Sequence, residues 1–515
     1  MLRPIFLLLV LSALNACAVN PVTGKNELAF VSESTELAIG KQQYLPSQQS
    51  QGGLYNVDPE LSRYVNEVGQ RLAAVSDRQL PYEFVVLNNS VPNAWALPGG
   101  KIAVNRGLLL HLKNEAELAA VLGHEIVHAA ARHGAKSIER ESLLQGAIMV
   151  TEIGTSGTEY SNFIVGKARL GAQLLTHKYG RGAELESDYY GIQYMVKAGY
   201  DPRATITLQQ TFVQLSAGRE SSFVEGLFAS HPPSQERVDK NRATVASLSY
   251  RLRPDLEVGE QRYRDKLAYL INKQDAYNSF DQANALRSSN ELVIATRLLD
   301  EAIQNEPMEP RFYGLRGNIL YDEEHYREAA KAFNKALDLD DNYYEYYLGR
   351  GLATLNLGQN DAARIDLSRS NELLPTAIAM NKLGQIALVA GHTSDAKAFF
   401  ESAMSAGGEV GSMATVEFKR LDLQENPGKY LTVRPHMREG KLMAAINNRA
   451  SIDVNQFEVV FTMTLNGKFK QLSAKGGAIR AGQTQNVSSG LRLREEDELL
   501  DLRSYISSAK PFNPG

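Results

Sequence analysis

The sequence predicts a mainly α chain in three parts: an α+β region in the N-terminal half, an α-solenoid of helical pairs behind it, and a small C-terminal β module. Three observations carry this. A helix-patterned stretch from Asn114 to Arg132 holds His124 and His128 with Glu125 between them. Small and aromatic anchors recur with a period of 34 residues, from Tyr313 to Tyr347, Gly317 to Gly351 and Ala329 to Ala363. Beyond Tyr430 the apolar period changes from that of a helix to the alternation of a strand.

The chain has 515 residues, 43% of them hydrophobic and 22% charged, with a net charge of -4. That composition is ordinary for folded domains, and the length is too great for one. The weak charge argues against nucleic acid as a partner. At the N-terminus Arg3 precedes an apolar run from Ile5 to Leu14. The run is far shorter than the ~20 residues that span a bilayer and reads as a removable export signal, residues 1–16. It ends in Leu14-Asn15-Ala16-Cys17, which resembles a bacterial lipoprotein box. Cys17 is the only cysteine, so no internal disulfide uses it. It is expected to be acylated, and several acyl chains anchor stably where one does not. Ala18 follows it, and by resemblance this favours the periplasmic face of the outer membrane. Leu143 to Ile153 is the best later candidate for a span, but it is short and broken by Gln145, Gly146 and Glu152.

Residues 17–50 read as a polar linker with one short helix near Thr35 to Gln43. A region of 51–265 follows. Asp58 to Ala74 is an amphipathic helix with Pro59 in its first turn. Tyr82 to Leu87 is a strand. Val91 to Val104, with Pro92, Pro98, Gly99 and Gly100, is an extended segment with a tight turn. Asn114 can cap the histidine helix, and Glu117 completes a capping-box signal. Gly182 to Ala198 is a second helix, closed by Gly199 and Pro202. The helical pairs occupy 270–405; their spacing resembles the tetratricopeptide repeat, a helix-turn-helix unit that stacks into a curved solenoid. Tyr343, Tyr344, Tyr346 and Tyr347 give one of those helices an unusual aromatic density, which makes the concave face the expected partner surface. Ser405 to Ser412 reads as a Gly- and Ser-rich linker. In the β module, 425–500, alternation from Phe457 to Leu465 runs into a hairpin turn at Asn466-Gly467.

The chemistry sits in the histidine helix. Histidines four apart share one face, a turn apart, so both imidazoles can reach one metal ion. Glu125 is rotated about a third of a turn and can address a water there without ligating the metal. The histidines lie among Val121, Leu122, Ile126 and Val127, and buried histidines need partners. A catalytic zinc takes three protein ligands and a water, so a third ligand is required. Glu184-Leu185-Glu186-Ser187-Asp188 opens the second helix. Glu184 and Asp188 share a face, yet on chemistry alone Glu186 is as good a ligand.

HExxH followed by ExxxD resembles the zinc metallopeptidase family of HtpX-like and prenyl-protein CAAX peptidases and the periplasmic beta-barrel assembly-enhancing proteases. Asn20-Pro21-Val22-Thr23-Gly24, Asn93 to Gly100, His133 and the stretch from Tyr179 to Asp188 extend the likeness. It covers about residues 20 to 410 and stops at the β module. The resemblance implies a gluzincin-type peptidase domain holding one zinc ion per chain on His124, His128 and Glu184. It implies Glu125 and Asp188 as catalytic residues, with Asp188 hydrogen-bonded to a ligand histidine. Ser230-His231-Pro232-Pro233 resembles the loop histidine of the barrel-assembly proteases, and His231 is expected to be an inhibitory fourth ligand. His177, Tyr179 and Arg181 are candidates to stabilise an oxyanion. Val91 to Val104 is expected to receive substrate as an added strand. His111, His325, His392 and His436 have no motif context and read as surface or packing residues.

The function expected is a zinc-dependent endopeptidase of the bacterial envelope that clears misfolded or stalled outer-membrane proteins. Its partners would be unfolded envelope proteins and, through the repeats, outer-membrane assembly machinery. The rival is a latched or non-proteolytic assembly or chaperone factor acting through its repeats. The intact Glu125 speaks against it, since a scaffold needs only the ligands.

Overall fold

The computed structural model describes residues 17–144, 178–218, 226–248 and 254–512. The expected export signal, most of the apolar stretch from Leu143 to Ile153, and His177 lie outside these residues. The chain divides into two compact units at Leu374 and Pro375.

The first unit opens with an antiparallel pair, β1 (Cys17–Val19) and β2 (Asn26–Leu28). Helix α1 (Glu33–Ser50) follows, with the Ser32 side chain accepting from the Thr35 N–H as its cap. It runs well past the expected Thr35 to Gln43. Its buried face is polar, including Glu36, Gln43, Ser47 and Gln49, so apolar periodicity does not reveal it. Helix α2 (Pro59–Ala73), capped by Asp58, packs on a sheet of β3 (Glu83–Leu87), β4 (Ala94–Leu97) and β5 (Lys101–Asn105). The order is β3-β5-β4, with β3 parallel and β4 antiparallel to β5. This leaves β4 as an edge strand. After a single turn, α3 (Arg106–Leu109), comes α4 (Glu115–Ala130). Asn114 Oδ1 accepts from the Glu117 N–H, while Glu117 Oε2 reaches back to the Lys113 N–H. Every residue of α4 is buried.

Arg132, at φ 62°, turns the chain into α5 (His133–Leu144). Then follow α6 (Arg181–Lys197), α7 (Ala204–Ala217), the single turn α8 (Leu227–Ser230) and α9 (Gln235–Leu248). Helices α4 and α6 approach through Gly123 and Gly191. A Cβ built on Gly191 would stand 3.2 Å from the His124 backbone nitrogen, a tight contact, so the glycine pair eases the close approach of the two motifs.

Two short helices, α10 (Glu260–Lys266) and α11 (Ala268–Asn272), lead into three helical pairs. These are α12 (Gln274–Ser288) with α13 (Leu292–Asn305), α14 (Pro310–Asp322) with α15 (Tyr326–Leu339), and α16 (Tyr344–Asn356) with α17 (Asn360–Leu373). Gly317 faces the Phe333 ring and Gly351 the Leu367 side chain, which explains the small anchors of the repeat. One apolar core runs from Val22 and Tyr55 through Leu122 to Phe312 and Ile319. The first repeats are therefore part of the same body as the peptidase-like region and not a separable module. The tyrosine cluster is largely structural too. Tyr343 and Tyr346 are buried, and the Tyr344 N–H and Asn342 carbonyl are both bonded by the Gln49 carboxamide of α1.

The second unit holds another pair, α18 (Ala377–Val389) and α19 (Thr393–Met404), with Gly384 facing Phe400. The expected linker at Ser405 to Ser412 is a tight turn at Gly407 and Gly408 that enters an 18-residue helix, α20 (Gly408–Glu425). Burial of Ala414, Phe418 and Leu421 overrides the glycine-rich composition. After α21 (Pro427–Tyr430) come β6 (Leu431–Arg438), β7 (Lys441–Asn448), β8 (Val454–Leu465), β9 (Lys468–Gly476), β10 (Thr484–Arg492) and β11 (Leu499–Pro511). They form two sheets, β10-β7-β6 and β11-β8-β9, around a core that includes Leu442, Ile446, Phe457 and Phe461. Asn466 and Gly467 make the β8–β9 turn at φ 51° and 74°, as a type I′ hairpin requires. Among the described residues no helix is long and apolar enough to cross a membrane.

Candidate active site

Helix α4 presents His124 and His128 on one face, and α6 brings Glu184 to them. His128 Nε2 is 3.0 Å from His124 Nε2 and 3.3 Å from Glu184 Oε1, and His124 Nε2 is 3.6 Å from Glu184 Oε2. The loop after α8 adds His231, whose Nδ1 is 3.0 Å from Glu184 Oε1 and 3.4 Å from His124 Nε2. One ligand atom from each of the four residues lies within 4.8 Å of all the others, and all four side chains are buried.

A second ring of contacts orients these groups. Asp188 Oδ1 accepts from His124 Nδ1 at 2.9 Å, which leaves the Nε2 lone pair facing the cluster. Arg237 of α9 holds Asp188 with two hydrogen bonds of 2.7 Å and sets Nη1 2.8 Å from Glu184 Oε2. His128 Nδ1 meets His133 Nδ1 at 2.9 Å, and His133 Nε2 meets Glu186 Oε1 at 3.2 Å. Glu184 thus faces the histidine pair, while Glu186 braces the outer side of His128 through His133. The Tyr179 ring lies over His128, with centroids 3.9 Å apart. Arg181 points away and is salt-bridged to Glu236 on the surface. His111, His325 and His436 stand outside the cluster.

Burial by itself would push the His124 pKa down, but the neighbouring Glu184 and Asp188 carboxylates outweigh it and hold it up at about 9. Burial keeps His128 well below the usual imidazole range. For Glu184 burial acts upward, yet the positive neighbours His231, Arg237 and His124 bring it well below the ordinary carboxylate range. Burial acts upward on Asp188 as well, and Arg237 and His124 outweigh it and lower its pKa. Burial raises the Tyr179 hydroxyl, with Glu125 and Glu184 adding to it.

The donor set fits a zinc ion. Nitrogen and oxygen ligands about 2.0–2.2 Å from a tetrahedral ion stand about 3.3 Å apart, and the spacings here run from 3.0 to 3.6 Å. His124 Nε2 and His128 Nε2 converge to 3.0 Å in a buried site with the Glu184 carboxylate beside them, a donor set that a bound cation satisfies. Glu125 stands beside this set, with Oε1 3.6 Å from His231 Nε2 and Oε2 buried without a hydrogen-bond partner.

Comparison with known proteins agrees with this geometry. The model of peptidase family M48 matches residues 59–245, and a tetratricopeptide repeat model matches 310–343. The metalloprotease YcaL of Escherichia coli is 30% identical over 190 residues, which are 35% of this chain and 72% of the relative. The chain belongs to peptidase family M48. This M48 chain is also 32% identical over 231 residues to the beta-barrel assembly-enhancing protease of Yersinia pestis, covering 43% of this chain and 47% of the relative. To the protein of that name from Escherichia coli it is 27% identical over 314 residues, 59% of this chain and 60% of the relative. It therefore spans about half the length of the curated relatives it matches. The M48 match includes the His124 helix, Glu184 and His231, and it ends before the repeats and the C-terminal sheets.

Arg237 is the main site residue that sequence reasoning missed. It lies outside both motifs, and a lone arginine on a polar helix carries no signal of burial. His133 carried one: it follows Arg132 directly after the histidine helix, where a turn can aim it back at His128.

Proposed function

We propose that this chain is a zinc-dependent endopeptidase of the bacterial envelope, acting on misfolded or stalled outer-membrane proteins. The observation that carries the proposal is the convergence of His124, His128 and Glu184 beside Glu125, a carboxylate with one oxygen buried and unsatisfied. A structural metal site has no use for that carboxylate. A zinc ion held by His124, His128 and Glu184 would supply Lewis acidity to a scissile carbonyl and to an attacking water. Glu125 receives the proton of that water and passes it to the leaving amine. Asp188 and Arg237 fix the ring of His124, and His133 with Glu186 fixes that of His128. Tyr179, whose ring lies over His128, is better placed than the surface-paired Arg181 to donate to a developing oxyanion.

Substrate is received as an extra strand on β4, whose outer edge pairs with no other strand among the described residues. The same segment holds the histidine loop: the Leu227 N–H donates to the Pro92 carbonyl at 2.9 Å, and the His231 N–H closes the turn on the Leu227 carbonyl at 2.8 Å. His231 is the resting fourth ligand, and strand addition beside Pro92 disturbs the loop that carries it. Lipid attachment at Cys17 places the enzyme on the periplasmic face of the outer membrane. The relatives named for beta-barrel assembly support this choice of substrate class. The repeats offer a surface for substrate or for assembly machinery. Glu125→Gln keeps the ligands and removes the base, so zinc-loaded Glu125→Gln protein should accumulate uncleaved envelope proteins when expressed in its host. Recovery of the same proteins in equal amounts with the wild type would contradict a proteolytic role.

A further inference from the structure

The end of α4 is held by residues that stand outside the metal site. Glu36 of α1 is fully buried, and its carboxylate accepts from Arg78 Nη1 at 2.9 Å, from Arg78 Nη2 at 3.0 Å and from Arg132 Nε at 3.0 Å. Arg78 Nη1 also reaches the Ala129 carbonyl in the last turn of α4, at 3.4 Å. Arg132 donates in addition to the Val31 carbonyl, just ahead of α1. Glu139 of α5 completes the group: Oε1 accepts from the Phe30 and Val31 N–H groups, each at 2.8 Å. Two carboxylates and two guanidiniums thus tie the segment from Phe30 to Glu36 to the point where α4 gives way to α5.

Arg132 is the whole of that turn. It stands at φ 62°, in the left-handed region. Its N–H donates to the Ala129 carbonyl, and its own carbonyl accepts from the Lys136 N–H of α5. The next residue, His133, has Nδ1 2.9 Å from His128 Nδ1. Glycine takes this conformation without strain, and a turn alone asks for nothing more. Arginine is strained there, and the bonds of its clasped side chain are what offset the strain.

We propose that Glu36 is a positioning residue of the metal site, acting on His128 through Arg78, Arg132 and His133. The inference rests on the reading of His128 as a metal ligand. Glu36 holds Arg78 on the last turn of α4 and holds Arg132 in the conformation that aims His133. Without it the turn slackens, and His128 Nδ1 loses the partner that sets the direction of its ring. The segment from Phe30 to Glu36 therefore belongs to the metal site, although it lies ahead of the family match at 59–245.

The test uses the full chain and three variants, Glu36→Gln, Arg132→Gly and Glu309→Gln, each loaded with zinc or with cobalt. Arg132→Gly keeps the turn and removes the clasped side chain. Glu309→Gln alters a fully buried carboxylate of the repeats and controls for lost stability alone. Chelator competition should show zinc held about tenfold less tightly by the first two variants and with wild-type affinity by the third. The visible absorption of bound cobalt reports ligand geometry. At full loading, and well below the melting temperature, it should shift in the first two variants only. Where Glu36→Gln does not fold, Arg132→Gly decides. Wild-type zinc affinity with an unshifted cobalt spectrum in Arg132→Gly overturns the proposal, since Arg132 then serves the turn alone. An equal loss of affinity in Glu309→Gln overturns it as well, since stability then accounts for the effect. A wild type that binds neither metal defeats the reading of His128 as a ligand, and the proposal falls with it.

Discussion

Arg237 grips Asp188 through two hydrogen bonds of 2.7 Å, both partners buried, and Asp188 in turn holds His124 Nδ1. The pair therefore positions a metal ligand from 113 residues away in sequence (237 minus 124). Replacing Arg237 with Leu leaves a buried carboxylate without its cation. Breaking a buried pair this way costs about 3–5 kcal/mol of stability, and loss of an outer-shell partner weakens metal binding about 10–100-fold. Chelator competition on the folded variant checks the second figure. Unchanged zinc affinity would remove Arg237 from the site.

His231 sits 3.0 Å from Glu184 Oε1, in the set of atoms that can hold the ion. His231→Ala should keep about one zinc per chain, since three protein ligands remain, and should raise cleavage of an unfolded protein. Loss of activity with full zinc would instead make His231 an oxyanion donor.

Cys17 is expected to carry the anchor. Cys17→Ser should move the protein into the soluble periplasmic fraction. Membrane fractionation as strong as that of the wild type would assign the tether to another part of the chain.

The second unit has one buried carboxylate whose partners predict acid sensitivity. Asp422 is buried beneath Lys397, Lys429 and the Tyr430 hydroxyl. Burial acts to raise its pKa, but these partners and Asn426 outweigh it and hold it far below the ordinary carboxylate range. A depressed folded-state pKa stabilises fully above the unfolded value of about 3.9 and is lost as pH falls through the folded one. Calorimetry of the full chain should show a transition that weakens below about pH 4, and Asp422→Asn should lower its melting temperature at pH 7 while flattening that pH dependence. A variant as stable as the wild type at pH 7 would show the cluster to be energetically idle.

Much of this was legible in the sequence because it rests on local spacing. The His124 helix announces itself by its Asn114 cap and its histidine pair, the repeats by Gly317, Ala329 and Phe333, and the hairpin by Asn466-Gly467. What escaped depends on tertiary contact. The sequence left Glu184 and Glu186 chemically equal, and only the packing of α6 on α4 through Gly123 and Gly191 sets one on the histidine pair and the other on His133. Helix α1 was cut short because its buried face is built of glutamines and Glu36 rather than of apolar side chains. The period of the repeats says nothing of what they pack against. Glu309 is fully buried, bonded to the Asn88 side chain and the Tyr277 hydroxyl, and so locks the second repeat into the first unit.

The central claim is that Glu125 works as the base beside an ion held by His124, His128 and Glu184. The direct measurement is zinc content together with the cleavage rate of an unfolded protein, for the wild type and Glu125→Gln, each also in the His231→Ala background. The account predicts about one zinc in every case and a loss of cleavage of at least about a hundredfold on removing the base. Glu125→Gln protein that holds its zinc and cleaves as fast as its parent would contradict it.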